Sequence, residues 1–385
     1  MEQLLGILLL VAGGFSAASF YVPSHAVKKW SWETYWISLG FVAWLIMPTV
    51  AGLLTAPNLW SILRQSPVGS MAGAYGFGVL WGFGGLMCGL GLRYLGLSLG
   101  QSVSLGVCSI VGTLVPAALD GKLGLLVTTL PGFVVLLGFL VCLAGTALCG
   151  YAGIRKERLL TDAQKKESVQ EFALAKGVTM AVLGGIMSAS MAFAFTAGAP
   201  IARTAVGFGT PEVFKNMPLL VFALAGGFTT NFISTMIITA KKKAFGDYVV
   251  RPRSTLLRNY FLAAISGVLW YGQWFSFGTG TTKLGGYGYA GWSIFMAAII
   301  VFSNLWGLLL KEWKGVDTKT RLYLWLGIIA LVVSVVMIGV GDGLARAGSR
   351  EPPGHPSVHT KNFPRHPSPC QFSEDDHDEN ISKRL

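Results

Sequence analysis

The sequence predicts an all-α polytopic membrane protein, with about ten transmembrane helices arranged as two inverted five-helix repeats. Three observations lead there. Of 385 residues, 52% are hydrophobic and only 12% charged, about half the charged share of a soluble domain. The stretches 177–202, 216–240, 259–282 and 284–310 hold no Asp, Glu, Lys, Arg or His, and each reaches the roughly 20 apolar residues needed to cross the hydrocarbon. Finally, the apolar runs fall into two sets of five about one basic segment, with short motifs recurring in corresponding runs.

The first run, 3–22, follows Met1-Glu2 without the basic flank of a cleaved signal, so it is read as a retained helix. Helices are then expected at 34–56, 70–92, 97–119 and 129–151, and again at 177–198, 216–240, 259–279, 288–310 and 321–341. Connections are short except 152–176, where Arg155-Lys156-Glu157-Arg158 and Lys165-Lys166-Glu167 interrupt the apolar pattern. The predicted organisation is a first repeat at 1–151, a basic linker at 152–176, a second repeat at 177–341 and a disordered tail at 342–385. The tail alternates Pro352-Pro353, Pro356, Pro364, Pro367 and Pro369 with polar residues and ends in an acidic run, a composition that cannot build a core. Its histidines, His355, His359, His366 and His377, read as solvated rather than metal-binding. Fifty glycines suit close packing of helices in lipid. Cys88, Cys108, Cys142 and Cys149 lie inside apolar runs and behave as small hydrophobes, so no disulfide framework is expected.

The halves look related. Gly13-x-x-Ser16-Ala17 in helix 1 matches Gly185-x-x-Ser188-Ala189 in helix 6. Trp81 in helix 3 precedes Leu95-Gly96 at the same spacing as Trp270 in helix 8 precedes Leu284-Gly285. Five helices per copy is odd, so the second copy enters the membrane from the other side. Inverted repeats of this kind recur in secondary transporters, with the substrate site near the midplane.

The net charge of +12 sits in loops, as orientation signals do, which argues against nucleic-acid binding. With the N-terminus outside, inner loops carry Lys28-Lys29, Arg155-Lys156, Lys165-Lys166, Lys241-Lys242-Lys243 and Arg251, Arg253 and Arg258, whereas outer loops carry only Arg64, Lys122, Arg203, Lys215 and Lys283. The excess of basic residues in inner loops places both termini outside.

No nucleophile–base pair, Walker loop, dinucleotide-binding turn or metal-ligand spacing is visible. The chain is therefore not expected to be an enzyme or to need a cofactor or metal. A neutral polar solute needs hydroxyls and amides to replace water, and flat apolar surfaces for its C–H faces. Trp270, Gln273, Trp274 and Phe277 share one face of helix 8. Ser16 and Tyr21 in helix 1, Ser188 in helix 6, Asn231 in helix 7 and Asn304 in helix 9 complete the substrate-binding candidates. Each has an alternative reading as packing or interhelical hydrogen bonding. A proton-coupled carrier also needs a titrating group. His25 and Glu33, at helix ends, are the candidates, His25 because its ordinary pKa lies in the working range. The alternatives are an interfacial histidine and a structural ion pair.

Three strings are specific: Lys28-Lys29-Trp30-Ser31-Trp32-Glu33-Thr34, Arg93-Tyr94-Leu95-Gly96-Leu97-Ser98-Leu99-Gly100, and Gly307-Leu308-Leu309-Leu310-Lys311-Glu312-Trp313. Together with Val111-Gly112-Thr113-Leu114 and Trp270-Tyr271-x-Gln273, they make residues 1–341 resemble the bacterial L-rhamnose–proton symporter family of the drug/metabolite transporter superfamily. That resemblance implies ten helices in two inverted repeats and uptake of a small neutral sugar across the inner membrane by alternating access, with proton symport. Its implied partners are the sugar, protons and the lipid bilayer; a homodimer is left open. The rival readings are a metabolite or drug exporter of the same superfamily and a non-transporting membrane sensor.

Overall fold

A computed structural model describes residues 2–95, 97–119, 121, 123–159, 174–284, 290–310 and 313–348. The described residues form ten long helices: α1 (Glu2–Ser19), α2 (Trp32–Thr55), α3 (Val68–Leu95), α4 (Leu97–Leu119), α5 (Leu130–Leu159), α6 (Leu174–Ser188, continuing after Ala189 as Ser190–Ala197), α7 (Met217–Lys242), α8 (Arg253–Gly280), α9 (Gly291–Leu309) and α10 (Thr318–Gly348). Eight spans are long and apolar enough to cross a membrane, and Val103–Leu119 in α4 is a shorter apolar helix. The tenth, α8, buries Asn259, Ser266, Gln273 and Thr279. It packs against α1, α2 and the turns between them, and these buried polar residues lower its mean hydropathy. Leu54, Val68, Leu119, Val127, Leu130 and Leu309 are each more than two-thirds exposed. On a soluble protein such a belt would aggregate; here it faces lipid.

The helix ends differ from the expected ones where charge was taken as a stop. The helix α5 runs past 151 to Leu159, carrying Arg155 and Lys156 in its last turns, where cations suit the helix dipole. Likewise α10 runs past 341 to Gly348. The rest of the predicted linker, 160–173, and the tail from 349 lie outside the described residues, as do Asp120 and Glu312.

The helix pairings are two-fold related. Helix α1 packs on α8 and α9, while α6 packs on α3 and α4; α2 meets α8 as α7 meets α3; α4–α5 matches α9–α10; and α2–α7 and α5–α10 pair with their own counterparts. Glycines report the same equivalence. A Cβ on Gly13 would meet Gln273 and Ser276 of α8, and one on Gly14 would meet Ala298 of α9; Gly184 would meet Cys88 of α3, and Gly185 would meet Ser104 and Val107 of α4. The contacts thus pair Gly13 with Gly184, one residue away from the match suggested by the serine motifs. Both α3 and α8 carry Gly-Val-Leu-Trp, at 78–81 and 267–270. Gly78 abuts Ala223 of α7, and Gly267 abuts Leu39 and Val42 of α2. The two tryptophans that end these strings touch each other, with ring centroids 5.5 Å apart.

The halves are also opposed in direction. Gly6 lies against Gly280, and Ser16 Oγ donates to the Leu269 carbonyl at 2.6 Å, so α1 is antiparallel to α8. Gly91 lies against Ala181 and Ser190 Oγ donates to Phe77 O, so α6 is antiparallel to α3. Asn216, before α7, donates to Gly278 O near the end of α8, and Phe195 of α6 lies 5.2 Å from Phe277. Helix α1 therefore starts at the face where α6 ends. That face carries Glu2 paired with Lys283. The opposite face carries Lys28, Lys29 and the Lys241-Lys242-Lys243 run.

Candidate functional site

A cavity of 770 Å³ opens on the Glu2 face, within the ~300–1,000 Å³ usual for small-molecule sites. Its walls come from both halves: Gly112 and Pro116 of α4, Ala192, Phe195 and Thr196 of α6, the short helix Ala199–Gly207 after it with Ala199, Ala202, Arg203 and Val206, then Glu212, Lys215 and Asn216, Phe277 of α8, Thr281 and Thr282, and Trp292 of α9. Local sequence explains the shape. Gly112 leaves room for Trp292, since a Cβ there would sit 2.4 Å from the indole nitrogen. The indole instead donates to Cys108 O at 3.2 Å, and Thr113 and Ser293 hydroxyls join α4 to α9 at 2.7 Å. Pro116 brings no N–H to the Gly112 carbonyl, so this wall position keeps a backbone acceptor outside the helical ladder, whereas the Thr196 carbonyl accepts from the Gly198 N–H.

The floor is aromatic. Phe195, Phe277 and Trp292 face the cavity, and Trp274 lies behind all three, with centroids 6.3, 5.9 and 6.2 Å away. The walls are polar. Thr281 and Thr282 donate to Gly278 O and Thr279 O, which leaves their oxygen lone pairs as acceptors. Asn216 spends its Nδ2 on Gly278 O. At the rim Lys215 pairs with Glu212, and Arg203 is exposed. Flat apolar surface below and hydroxyl, amide and carbonyl groups around it can hold a small polyhydroxylated ring.

Of the predicted residues, Phe277 lines this cavity and Trp274 backs its floor. Trp270 lies deeper, 5.3 Å from Trp44. Gln273 is buried and donates to Trp270 O in its own helix. The other polar candidates serve helix contacts. Ser16 bonds α8, and Ser188 meets Cys88 Sγ at 3.6 Å. Asn231 accepts from Trp36 Nε1 at 3.0 Å, and Asn304 donates to Ile300 O. These amides and hydroxyls are satisfied by backbone or by a neighbouring helix, the usual fate of polar groups in lipid-embedded bundles. Tyr21 is 42% exposed and stands edge-on to His25, 6.4 Å away, at the Lys28 face. Sequence reading missed Arg203, Glu212, Lys215, Asn216, Thr281 and Trp292. The available signal was the proline-punctuated stretch from Pro200 through Pro211 to Pro218, too broken to be one more straight helix end.

The Lys28 face is shut by a set of polar bonds. Glu33, 3% exposed, pairs with Lys242 through Oε1, and its Oε2 has no partner. Asp247 Oδ2 accepts from the Ser31 amide at 2.7 Å and the Thr34 hydroxyl at 3.1 Å, capping α2 from another element. Trp30 Nε1 donates to the Asp247 carbonyl at 2.6 Å. Asn259, fully buried, bonds both the N–H and the C=O of Lys28. Among the described residues no cluster of His, Cys, Asp or Glu could hold a metal.

Comparison with known proteins gives one family. The profile of the L-rhamnose-proton symport protein family matches residues 2–345. An L-rhamnose-proton symporter of Cronobacter sakazakii is 36% identical over 341 residues, covering 88% of this chain and 97% of that protein. L-rhamnose-proton symporters of Yersinia pestis and Yersinia pseudotuberculosis are each 35% identical over 342 residues, covering 88% of this chain and 98% of theirs.

Proposed function

The chain belongs to the L-rhamnose-proton symport protein family, and from that premise we propose that it carries L-rhamnose or a closely related neutral sugar across the bacterial inner membrane, in symport with protons, by alternating access. The observation that carries this reading is the 770 Å³ cavity, with its aromatic floor and its ring of hydroxyl and amide groups. The floor takes the C–H face of a deoxy sugar and the walls take its hydroxyls.

Direction follows from charge. The Lys28 face holds most of the described lysines and arginines outside the membrane, so the positive-inside rule makes it cytoplasmic and leaves both termini periplasmic. The cavity is then the outer entrance, and the polar bonds at the Lys28 face are the closed inner gate. Thr196, Asn216, Thr281 and Thr282 bond the sugar, and Trp274 supports the rings beneath it. The helix-contact residues Ser16, Ser188, Asn231, Asn304 and Gln273 hold the walls in place.

For the proton, Glu33 is the group at the inner gate. Its unpartnered Oε2 takes a proton while Oε1 still faces Lys242. As a neutral acid it loses its hold on the lysine and frees the start of α2; as a carboxylate it closes the gate again. The test is uptake of labelled L-rhamnose into proteoliposomes with and without an imposed pH gradient. Wild-type protein should accumulate the sugar only with the gradient, and Glu33→Gln should equilibrate it without accumulation. A wild-type protein that neither accumulates nor exchanges any such sugar ends the sugar reading. Full accumulation by Glu33→Gln removes that carboxylate from coupling.

A further inference from the structure

The floor of the cavity is the top of a longer aromatic column. Trp274 contacts Trp270 at 6.4 Å, and Trp270 contacts both Trp81, at 5.5 Å, and Trp44, at 5.3 Å. Trp44 contacts Trp36 at 5.7 Å, and Trp36 stacks on Trp32 at 5.1 Å. Trp32 opens α2 at the Lys28 face, so indole rings run without interruption from the outer cavity to the inner surface.

Indoles are a poor choice for mere filling, because each brings an N–H that needs an acceptor when buried. The fold supplies one at four positions. Trp30 donates to Asp247 O, Trp36 to Asn231 Oδ1, Trp292 to Cys108 O and Trp306 to Ser19 Oγ. Trp274 and Trp44 are 3% and 0% exposed, and neither indole nitrogen has a partner. An unmet buried donor costs stability, and each one in a native fold calls for a reason. The two lie in the same column, one at each end of the Trp270 contact.

Trp44 also sits where α2 is irregular. Val42–Ile46 is a π-helical turn, and Pro48, four residues on, brings no N–H to the Trp44 carbonyl. Such turns inside α-helices recur at functional sites. Helix α2 is thus built to bend at the ring that blocks the path.

We propose that the tryptophan column is the closed half of the solute's route, and that the indole N–H groups of Trp274 and Trp44 are specificity-determining donors to hydroxyl oxygens of the transported sugar. This rests on the sugar reading above. Trp274 donates once the sugar displaces the rings in front of it, Phe195, Phe277 and Trp292, and Trp44 donates after the column parts around the bend in α2. The rings offer the sugar successive flat surfaces for its C–H faces.

Trp274→Phe and Trp44→Phe keep a ring and delete the donor. In proteoliposomes, Trp274→Phe raises the KM for L-rhamnose entering from the outer side about tenfold, the loss of one hydrogen bond, with the maximal rate nearly unchanged. Trp44→Phe leaves that KM near wild type and lowers the maximal rate about tenfold, because its donor serves a later step. Without sugar, both variants melt close to the wild-type temperature, since loss of an unmet donor offsets part of the cavity left by the smaller ring. Unchanged KM and rate in both variants, with or without a fall in melting temperature, mark the indoles as packing and overturn the proposal. A wild-type chain that carries no L-rhamnose or related sugar overturns the sugar reading, and this proposal with it.

Discussion

Asp247→Ala should loosen the start of α2, at the Lys28 face, while leaving the bundle folded. The carboxylate accepts from the Ser31 amide at 2.7 Å and from the Thr34 hydroxyl at 3.1 Å. Ser31 is the N-cap residue of α2, but its own side chain makes no capping bond, so Asp247 does that work from 216 residues away. Hydrogen bonds to a charged group contribute about 1.5–3 kcal/mol each, and removing an N-cap costs about 0.5–2 kcal/mol. Asp247 is half-buried, and the Trp30 bond to its backbone carbonyl survives. The lower part of the range therefore applies, about 2–3 kcal/mol for both bonds together. At about 1.4 kcal/mol per factor of ten, opening of this segment becomes about 30- to 150-fold more populated. Hydrogen exchange reads that quantity directly, because exchange from a local opening reports its free energy. Amides from Ser31 through the first turn of α2 should exchange about 30- to 150-fold faster, while peptides from α5 and α10 keep wild-type rates. Asp247→Asn retains one acceptor oxygen and should fall between. Unchanged exchange at residues 31–36 in Asp247→Ala would refute the argument that this carboxylate latches the inner gate.

Two further substitutions test other joints. Gly112→Ala places a Cβ 2.4 Å from the Trp292 indole nitrogen; overpacking at this site should cost about 1–3 kcal/mol, seen as a lower melting temperature and a raised KM for sugar, and an unchanged KM would show that Trp292 does not shape the cavity. Asp317, before α10, has its carboxyl held below the ordinary 3.8 by the Thr320 hydroxyl and then by the Arg155 guanidinium. A depressed carboxyl stabilises the fold above its unfolded pKa and loses that effect as pH falls through its folded value. Wild type should therefore melt above Asp317→Asn at neutral pH, with the gap closing under strong acid, and a gap independent of pH would separate Asp317 from the α5–α10 contact.

The membrane fold was legible because lipid demands a simple pattern: apolar runs of spanning length and charge only between them. The duplication was legible through Trp81 and Trp270, although the serine motifs set the match of α1 and α6 one residue off. Contacts decide that register, since Gly13 and Gly184 each meet the paired helix. The site was harder to read. The face of α8 bearing Trp270, Gln273, Trp274 and Phe277 was visible as a face, but periodicity does not say which end of it meets open space. Only Phe277 does, with Trp274 buried behind it. Isolated serines and asparagines look like solute ligands in a sequence, yet Asn231 and Ser16 bond neighbouring helices. Arg203, Glu212 and Lys215 look like orientation signals, yet they form the rim. The Asp247 latch joins elements so distant in the chain that no local pattern could announce it.

The meeting of Trp81 with Trp270 has a mechanical meaning. When two copies of one unit swap conformations, most contacts between them are exchanged for their mirror counterparts, but a contact lying on the symmetry axis is its own counterpart. Such a contact stays put while everything around it rocks. The two halves would then behave as a balance beam, with this indole pair as the fulcrum and the cavity and the Asp247 latch as the ends of opposite arms. A lever fixed at its middle cannot raise both ends at once, which is how a carrier of this build avoids ever becoming a channel.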